Sequence, residues 1–286
     1  MIESLEAAFR QDVELVEQHL NEVLAELPDF AGQGYGRLKE SVAYSLTSGG
    51  KRFRPVLALL TAEALQIEKQ KALPWGCVLE MVHTYSLIHD DLPLMDNDDY
   101  RRGKPTNHKV YGEAMALLAG DGLLTEAFFW LAKSYRSQPD LLAELVGLLA
   151  GNSGLRGMVA GQAMDIEPEP QLEPASVEQL HRLKTGALIE AAVLGVSHIA
   201  QSPPPVHEAL KVYSRSLGLA FQVADDLLDY DAENPEPVSL VGLLGVREAR
   251  AFLEKLVDES LRSLKKVPGP TESLQQLALY NLTRLK

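Results

Sequence analysis

Cysteine is almost absent from this chain. Cys77 is the only one in 286 residues, so no internal disulfide can form, and a reducing compartment, the cytoplasm, is the expected home. Cationic side chains are the minority, 27 Lys and Arg against 40 Asp and Glu, a balance of −13. That sign makes nucleic acid and anionic membrane poor partners, and any anionic ligand must be met by locally gathered positive charge. Long hydrophobic runs are missing too. The most apolar stretch, LLAELVGLLAG, is short and holds Glu144, well under the roughly 18 apolar residues of a membrane span, so no stable membrane insertion is expected. The opening MIESLEAAFRQDVELVEQHL is polar and amphipathic, unlike a secretory leader. Strand-like alternation is scarce, and neither a low-complexity linker nor a fixed repeat divides the chain.

What is present is apolar residues at three-to-four spacing, as in Leu5, Phe9, Val13, Val16, Leu20 and Leu24, the pattern of helices packed on one side. Gly and Pro punctuate this pattern, among other places at Pro28, Gly49-Gly50, Pro74, Pro93 and Pro203 to Pro205, which predicts about ten helices. The segments 141–149 and 187–196 are apolar on most faces and predict central helices surrounded by others. The expected architecture is all-α, one domain over residues 1–286.

Two acidic clusters break the apolar pattern. In FQVADDLLD, Asp225 and Asp229 are four apart and Asp226 and Asp229 three apart, which puts three carboxylates on one helix face. Two like charges about 4 Å apart repel by roughly 4 kcal/mol at an effective dielectric near 20, so such a trio demands neutralisation. In SLIHDDLPLMDNDD, Pro93 lacks the N–H a helix needs, so the helix is expected to break after Asp91 or Leu92. The break lets the chain curl Asp96 back toward Asp90 and Asp91. All-carboxylate donors without a His or Cys set suit Mg²⁺, completed by water and phosphate oxygens. Cations lie close by in GGKRFRP and DDYRRGKPTNHK, where forked Arg donors match diphosphate oxygens. A lone acidic cluster is commonly a solvated helix end; two of them beside basic glycine turns are not.

SLIHDDLPLMDNDDYRRGKPTNHKVYGE, GGKRFRP, GQAMD, HRLKTGALI and FQVADDLLD together resemble the trans-isoprenyl diphosphate synthases of the short-chain bacterial and plastid type. The likeness runs in order from about Ser41 to Asp229. It implies an all-α isoprenoid-synthase fold with a cavity lined by two aspartate-rich helices, usually in a homodimer. It also implies head-to-tail joining of an allylic diphosphate, dimethylallyl or geranyl, to isopentenyl diphosphate. By similarity, Asp90, Asp91 and Asp96, with Asp225, Asp226 and Asp229, hold Mg²⁺, three ions with substrate bound. Lys51, Arg54, His83 and Arg102 match the isopentenyl diphosphate positions. Arg101, Lys184, Thr185 and Gln222 match the allylic ones, with Thr185 and Gln222 facing the carbocation and the released diphosphate taking the final proton. Apart from the resemblance, Asp165 in GQAMD suits a cap or an ion pair, or a role orienting Lys184 or a basic neighbour.

Product length in this family is set four and five residues before the first aspartate, here Ser86 and Tyr85. Tyr85 lies roughly 7.5 Å deeper along the helix than Asp90. Its bulk favours farnesyl diphosphate, with geranylgeranyl diphosphate the alternative. The chain departs from the pattern after Asp229. A lysine-bearing loop is usual there, whereas this chain reads YDAENPEPVSLVGLLG, with no lysine between Lys211 and Lys255. Losing one charge-assisted contact weakens diphosphate binding by about 1.5 to 3 kcal/mol unless Arg284 or Lys286 substitutes. A weakly active or non-catalytic partner subunit is therefore a second reading. A class I terpene cyclase is a third, though its second motif usually pairs Asn or Asp with Ser or Thr and Glu.

Overall fold

The computed structural model describes residues 9–169, 171–231 and 238–285. Fourteen α-helices, one π turn, one 3-10 turn and a hairpin of two-residue strands make up its regular structure among these residues, in line with the all-α expectation. By contact pattern the described residues divide into two compact units. Each is built from non-contiguous stretches: 9–56 with Leu73–Val146, and Leu57–Ala72 with 147–285.

The first unit holds α1 (Arg10–Ala25), α2 (Gln33–Leu46), the start of α3 (Phe53–Ala64), most of α4 (Lys69–Asp90), α5 (Asn107–Tyr111) and α6 (Glu113–Tyr135). α1 buries Val16 and Leu20 of the stripe its spacing predicts, along with Asp12 and Val23, and leaves Val13 and Leu24 half-buried. α4 begins seven residues before Gly76, because Pro74 is accommodated inside it, in an early turn. Gly76 allows α4 to meet α3 closely: a Cβ there would stand 2.9 Å from Pro55 Cα. α4 ends at Asp90 as Pro93 demands, and the chain folds back so that the Asp96 N–H reaches the Asp90 carbonyl at 2.8 Å. The hairpin that follows pairs Tyr100 with Pro105 and Arg101 with Lys104. Its two turn residues, Arg102 and Gly103, have φ of 53° and 74°, the double left-handed turn that matches strand twist.

α6 is interrupted by Glu113, Asp121, Glu126 and Lys133. It is the one described helix with the length and mean hydropathy, 1.3, of a membrane span. Leu117, Leu118 and Phe129 stand exposed along it.

The second unit holds the rest of α3, the start of α4 and the C-terminal half of α7 (Pro139–Ser153), whose first half belongs to the first unit, then α8 (Met158–Ile166), α9 (Pro174–His181), α10 (Ala187–Ile199) and α11 (Pro204–Asp229). α12 (Leu240–Leu244), α13 (Val246–Ser263) and α14 (Glu272–Thr283) complete it. α10 buries every residue from Ala187 to Ser197 except Glu190, as a central helix should. The stretch 141–149 does not: only Leu145 and Leu149 are buried, so α7 is one-sided. α11 and the turn before α10 approach to backbone distance, since a Cβ on Gly218 would lie 3.0 Å from Gly186 Cα. The Tyr213 hydroxyl donates to the Leu274 carbonyl at 2.8 Å, tying α14 to α11.

Candidate active site

In the first unit the basic residues are organised around a buried arginine. Arg52, 1% exposed and at φ 45°, donates from Nε to Glu17 Oε1 (2.6 Å), from Nη1 to Glu80 Oε1 (2.8 Å) and from Nη2 to the Leu46 carbonyl (2.7 Å). Burial alone would lower its pKa, but Glu80 and Glu17 outweigh that and raise it. Arg52 is thus a strut that fixes the GGKRFRP turn, a role hidden in a sequence where it looks like one more cation.

Around this strut sit the expected diphosphate ligands. The Arg102 guanidinium lies on the Gly49-Gly50 turn and donates to the Gly49 carbonyl. A Cβ on Gly50, at φ 117°, would fall 2.4 Å from Arg102 Cζ, so only glycine admits the guanidinium here. Arg54 has a buried Nε with no acceptor among the described residues. Burial brings its pKa down to about 10, with Arg102 pushing the same way and Glu80 against. His83 is held neutral, its pKa driven well below the ordinary value by burial and then by Arg54, Arg102, Arg101 and Arg52. Lys51 is exposed on the same turn. An orphaned buried guanidinium donor and a neutral imidazole thus lie among several cations, an arrangement whose donors suit an anion.

The first acidic cluster adjoins this receptor. Arg101 donates from Nε to Asp91 Oδ1 at 2.5 Å and from Nη2 to Asp98 Oδ2 at 3.1 Å. Burial raises the Asp91 pKa despite Arg101. Asp90 is half-buried and Asp96 exposed. Thr106 and Asn107, which motif reading passes over, pin the hairpin: Thr106 Oγ1 donates to the Asp98 carbonyl (2.7 Å), and Asn107 Nδ2 to the Ser41 carbonyl and Ser45 Oγ (2.8 Å each). Deeper along α4, Tyr85 is 6% exposed and edge-stacked on His89 at 5.7 Å, while Ser86 Oγ donates to the His83 carbonyl. Burial first, then Asp90, pushes the Tyr85 phenol up to about 12. His89 in turn packs on Gly120, where a Cβ would stand 2.1 Å from its Nε2.

In the second unit, Arg182 to Gly186 form a single π turn between α9 and α10. Such bulges re-aim side chains and recur at functional sites. Here the turn carries Lys184 and Thr185, and Lys184 Nζ pairs with Asp165 of α8 as expected. The turn fits because α8 presents Gly161, whose missing Cβ would stand 2.2 Å from Lys184 N. Gln222, Asp225 and Asp229 fall at i, i+3 and i+7 along α11, the first two half-buried and the third exposed. Asp226 departs from the expected shared face: it is buried and its Oδ2 accepts from the Leu240 N–H (2.8 Å) and Ser239 Oγ (3.3 Å), anchoring α12. Burial raises its pKa against those bonds. His181 lies 3.9 Å from Asp226 Oδ1, and burial lowers it to about 4. Asp225 Oδ1 accepts from Arg284 Nη1 at 2.7 Å. Residues 232–237, most of the acidic loop after Asp229, lie outside the described residues, as does Lys286.

Among the described residues no three His, Cys, Asp or Glu side chains are gathered closely enough to hold an ion by themselves. The donor chemistry nevertheless fits Mg²⁺, which takes one or two carboxylates and completes its octahedron with water and phosphate oxygens.

The polyprenyl synthetase family model matches residues 36–236. The chain belongs to that family. Its relatives place it among the short-chain trans-isoprenyl diphosphate synthases, and it is a prenyltransferase. It is 42% identical over 278 residues to a farnesyl diphosphate synthase of Geobacillus stearothermophilus, covering 91% of this chain and 92% of that protein. It is 44% identical over 244 residues, 78% of this chain and 66% of the other, to the large subunit 1 of the chloroplastic heterodimeric geranylgeranyl pyrophosphate synthase of Arabidopsis thaliana. The apo crystal structure of an FPP/GFPP synthase from Zymomonas mobilis superposes with a TM-score of 0.88 at 36% identity, over 96% of this chain and 99% of that one.

Proposed function

We propose that this synthase joins an allylic diphosphate, dimethylallyl or geranyl, head-to-tail to isopentenyl diphosphate, and that farnesyl diphosphate is its product. The observation that carries the reading is the anion receptor of the first unit. Arg54 with an orphaned buried Nε, neutral His83, and Arg102 on the Gly49-Gly50 turn together await a diphosphate. With Lys51 they are assigned to isopentenyl diphosphate, His83 donating one ring N–H. Arg101 and Lys184 are assigned to the allylic diphosphate. Asp90, Asp91, Asp96, Asp225 and Asp229 are assigned to Mg²⁺, three ions with substrate bound, and Asp226 to anchoring α12.

Bound Mg²⁺ supplies the positive charge that draws the diphosphate away from the allylic carbon. The chain's own residues do the rest. Arg101 and Lys184 share the negative charge that develops on the leaving group. The Thr185 hydroxyl and Gln222 Oε1 offer lone pairs to the carbocation. The final proton passes to the released diphosphate, so no side-chain base is required. Tyr85, buried below the aspartates, limits the growing chain, with Ser86 beside it.

A homodimer is proposed on family grounds, with the exposed apolar face of α6 as its natural contact. Cytoplasmic residence is proposed with it, a reading the single, buried Cys77 supports. The deciding experiment incubates purified protein with Mg²⁺, geranyl diphosphate and labelled isopentenyl diphosphate. Label in a C15 diphosphate is expected. Label in C20 alone would favour geranylgeranyl diphosphate; a hydrocarbon without label would mean a cyclase; silence would mean a non-catalytic partner subunit.

A further inference from the structure

The second acidic cluster is tied to the end of the chain. Arg284, just past α14, donates from Nη1 to Asp225 Oδ1 at 2.7 Å and from Nη2 to the Phe221 carbonyl at 2.6 Å. Phe221 and Asp225 are one helical turn apart on α11, so the guanidinium fork spans the turn, and its face lies 4.5 Å above the Phe221 ring centroid. The Arg284 side chain is 8% exposed. Three anchors on a buried, planar group distinguish this contact from a surface ion pair.

The charge arithmetic of α11 shows why such a contact is needed. Asp225, Asp226 and Asp229 crowd the C-terminal end of this helix, where the macrodipole already disfavours negative charge. The chain carries neither Lys nor Arg between Arg215 and Arg247, and Arg215 is paired with Glu190. Arg284 therefore brings in from just past α14 a cation that the C-terminal half of α11 and the segment after it do not contain.

We propose that Arg284 is a positioning residue: it fixes the Asp225 carboxylate for Mg²⁺ and diphosphate, and it is the standing positive charge of the α11 C-terminus. This rests on the proposed synthase function and deepens it. A lysine cannot reproduce the role, because a single ammonium cannot span a carboxylate and a carbonyl one turn apart while stacking on a ring.

The test compares the full-length parent with R284Q and R284K. Three quantities are read: the melting temperature, the Mg²⁺ dependence of the initial rate, and Mn²⁺ binding in the presence of inorganic pyrophosphate, followed by electron paramagnetic resonance. R284Q is expected to need about tenfold more Mg²⁺ for half-maximal rate and to bind Mn²⁺ with pyrophosphate about tenfold more weakly, as loss of a ligand-orienting partner does. The KM for isopentenyl diphosphate, whose assigned ligands are other residues, stays at the parent value. R284K, which keeps the charge and should fold even if R284Q does not, falls between the two. A folded R284Q with a lower melting temperature but parental Mg²⁺ and Mn²⁺ behaviour would reduce Arg284 to a structural tie and overturn the proposal. An inactive parent would overturn the synthase reading itself, and this inference with it.

Discussion

Gly161→Ala sets two opposed effects against each other. In the interior of a helix, alanine is ordinarily preferred over glycine by about 1 kcal/mol. At Gly161 the added Cβ would stand 2.2 Å from Lys184 N, 2.6 Å from Lys184 Cα and 2.8 Å from the Leu183 carbonyl carbon. All three are backbone atoms of the π turn, so no flexible side chain can swing aside, and the turn must move by about an ångström to restore contact distance. Overpacking of this kind costs about 1 to 3 kcal/mol, and the rigid neighbour puts it at the upper end. Subtracting the propensity gain leaves a net loss of about 2 kcal/mol, a fall in melting temperature of about 4 to 8 °C for a chain of this size. The control is Gly147→Ala on exposed α7, where nothing lies within 4 Å of the new Cβ. That variant should melt about 2 to 4 °C above the parent. Thermal unfolding by circular dichroism reads both. Because the displaced backbone is that of Lys184, Gly161→Ala should also raise the KM for the allylic substrate. A variant melting at or above the parent would refute the packing argument for the π turn.

Other perturbations probe the first unit. Arg52→Met leaves Glu80, whose side chain is 2% exposed, without its partner, and should destabilise by about 3 to 5 kcal/mol; adding Glu80→Gln should recover part of that loss in the same melts. Tyr85→Ala should shift products toward C20 and longer, read by mass spectrometry of the hydrolysed prenols, and retention of the parental length would remove Tyr85 from the cavity floor. Arg54, depressed to about 10, loses its proton as pH rises through that value, so calorimetric affinity for isopentenyl diphosphate without metal should hold from pH 8 to 9.5 and fall above about 10. Diphosphate stabilises the charged form, so binding should itself raise that pKa and take up protons near pH 10.

The features legible in the sequence are those fixed by local backbone chemistry. The helix end at Asp90 and the return of Asp96 follow from Pro93, whose constraint acts on its immediate neighbours whatever the surroundings. The stripe of α1 and the all-round burial of α10 follow from spacing. What stayed hidden depends on partners remote in the chain. Arg52 reads as one more cation of the GGKRFRP turn until Glu17 and Glu80, 35 and 28 residues away, take its donors. Asp226 has the same helical spacing as Asp225, yet the amide of Leu240, 14 residues on, turns it into an anchor. Gly161 looks like any helical glycine until the π turn rests on it.

In both units, charge compensation follows one rule. The more enclosed carboxylates are already paired: Asp91 with Arg101, Asp225 with Arg284, Asp226 with the amide of Leu240. The most exposed, Asp96 and Asp229, stand toward water, where a dielectric near 80 makes isolated charge inexpensive. An arginine paired with a carboxylate keeps a buried acid ionised without metal, which burial by itself opposes at Asp91. On the proposed function the same arginine then has two competing anions, the aspartate and the incoming diphosphate, while the aspartate has two competing cations, the arginine and Mg²⁺. Exchanging both partners together conserves the number of compensated charges, whereas metal or diphosphate arriving alone leaves one group uncompensated in a low-dielectric site. Metal and allylic diphosphate should therefore bind to Asp91 and Arg101 as a pair, each tightening the other by the same factor.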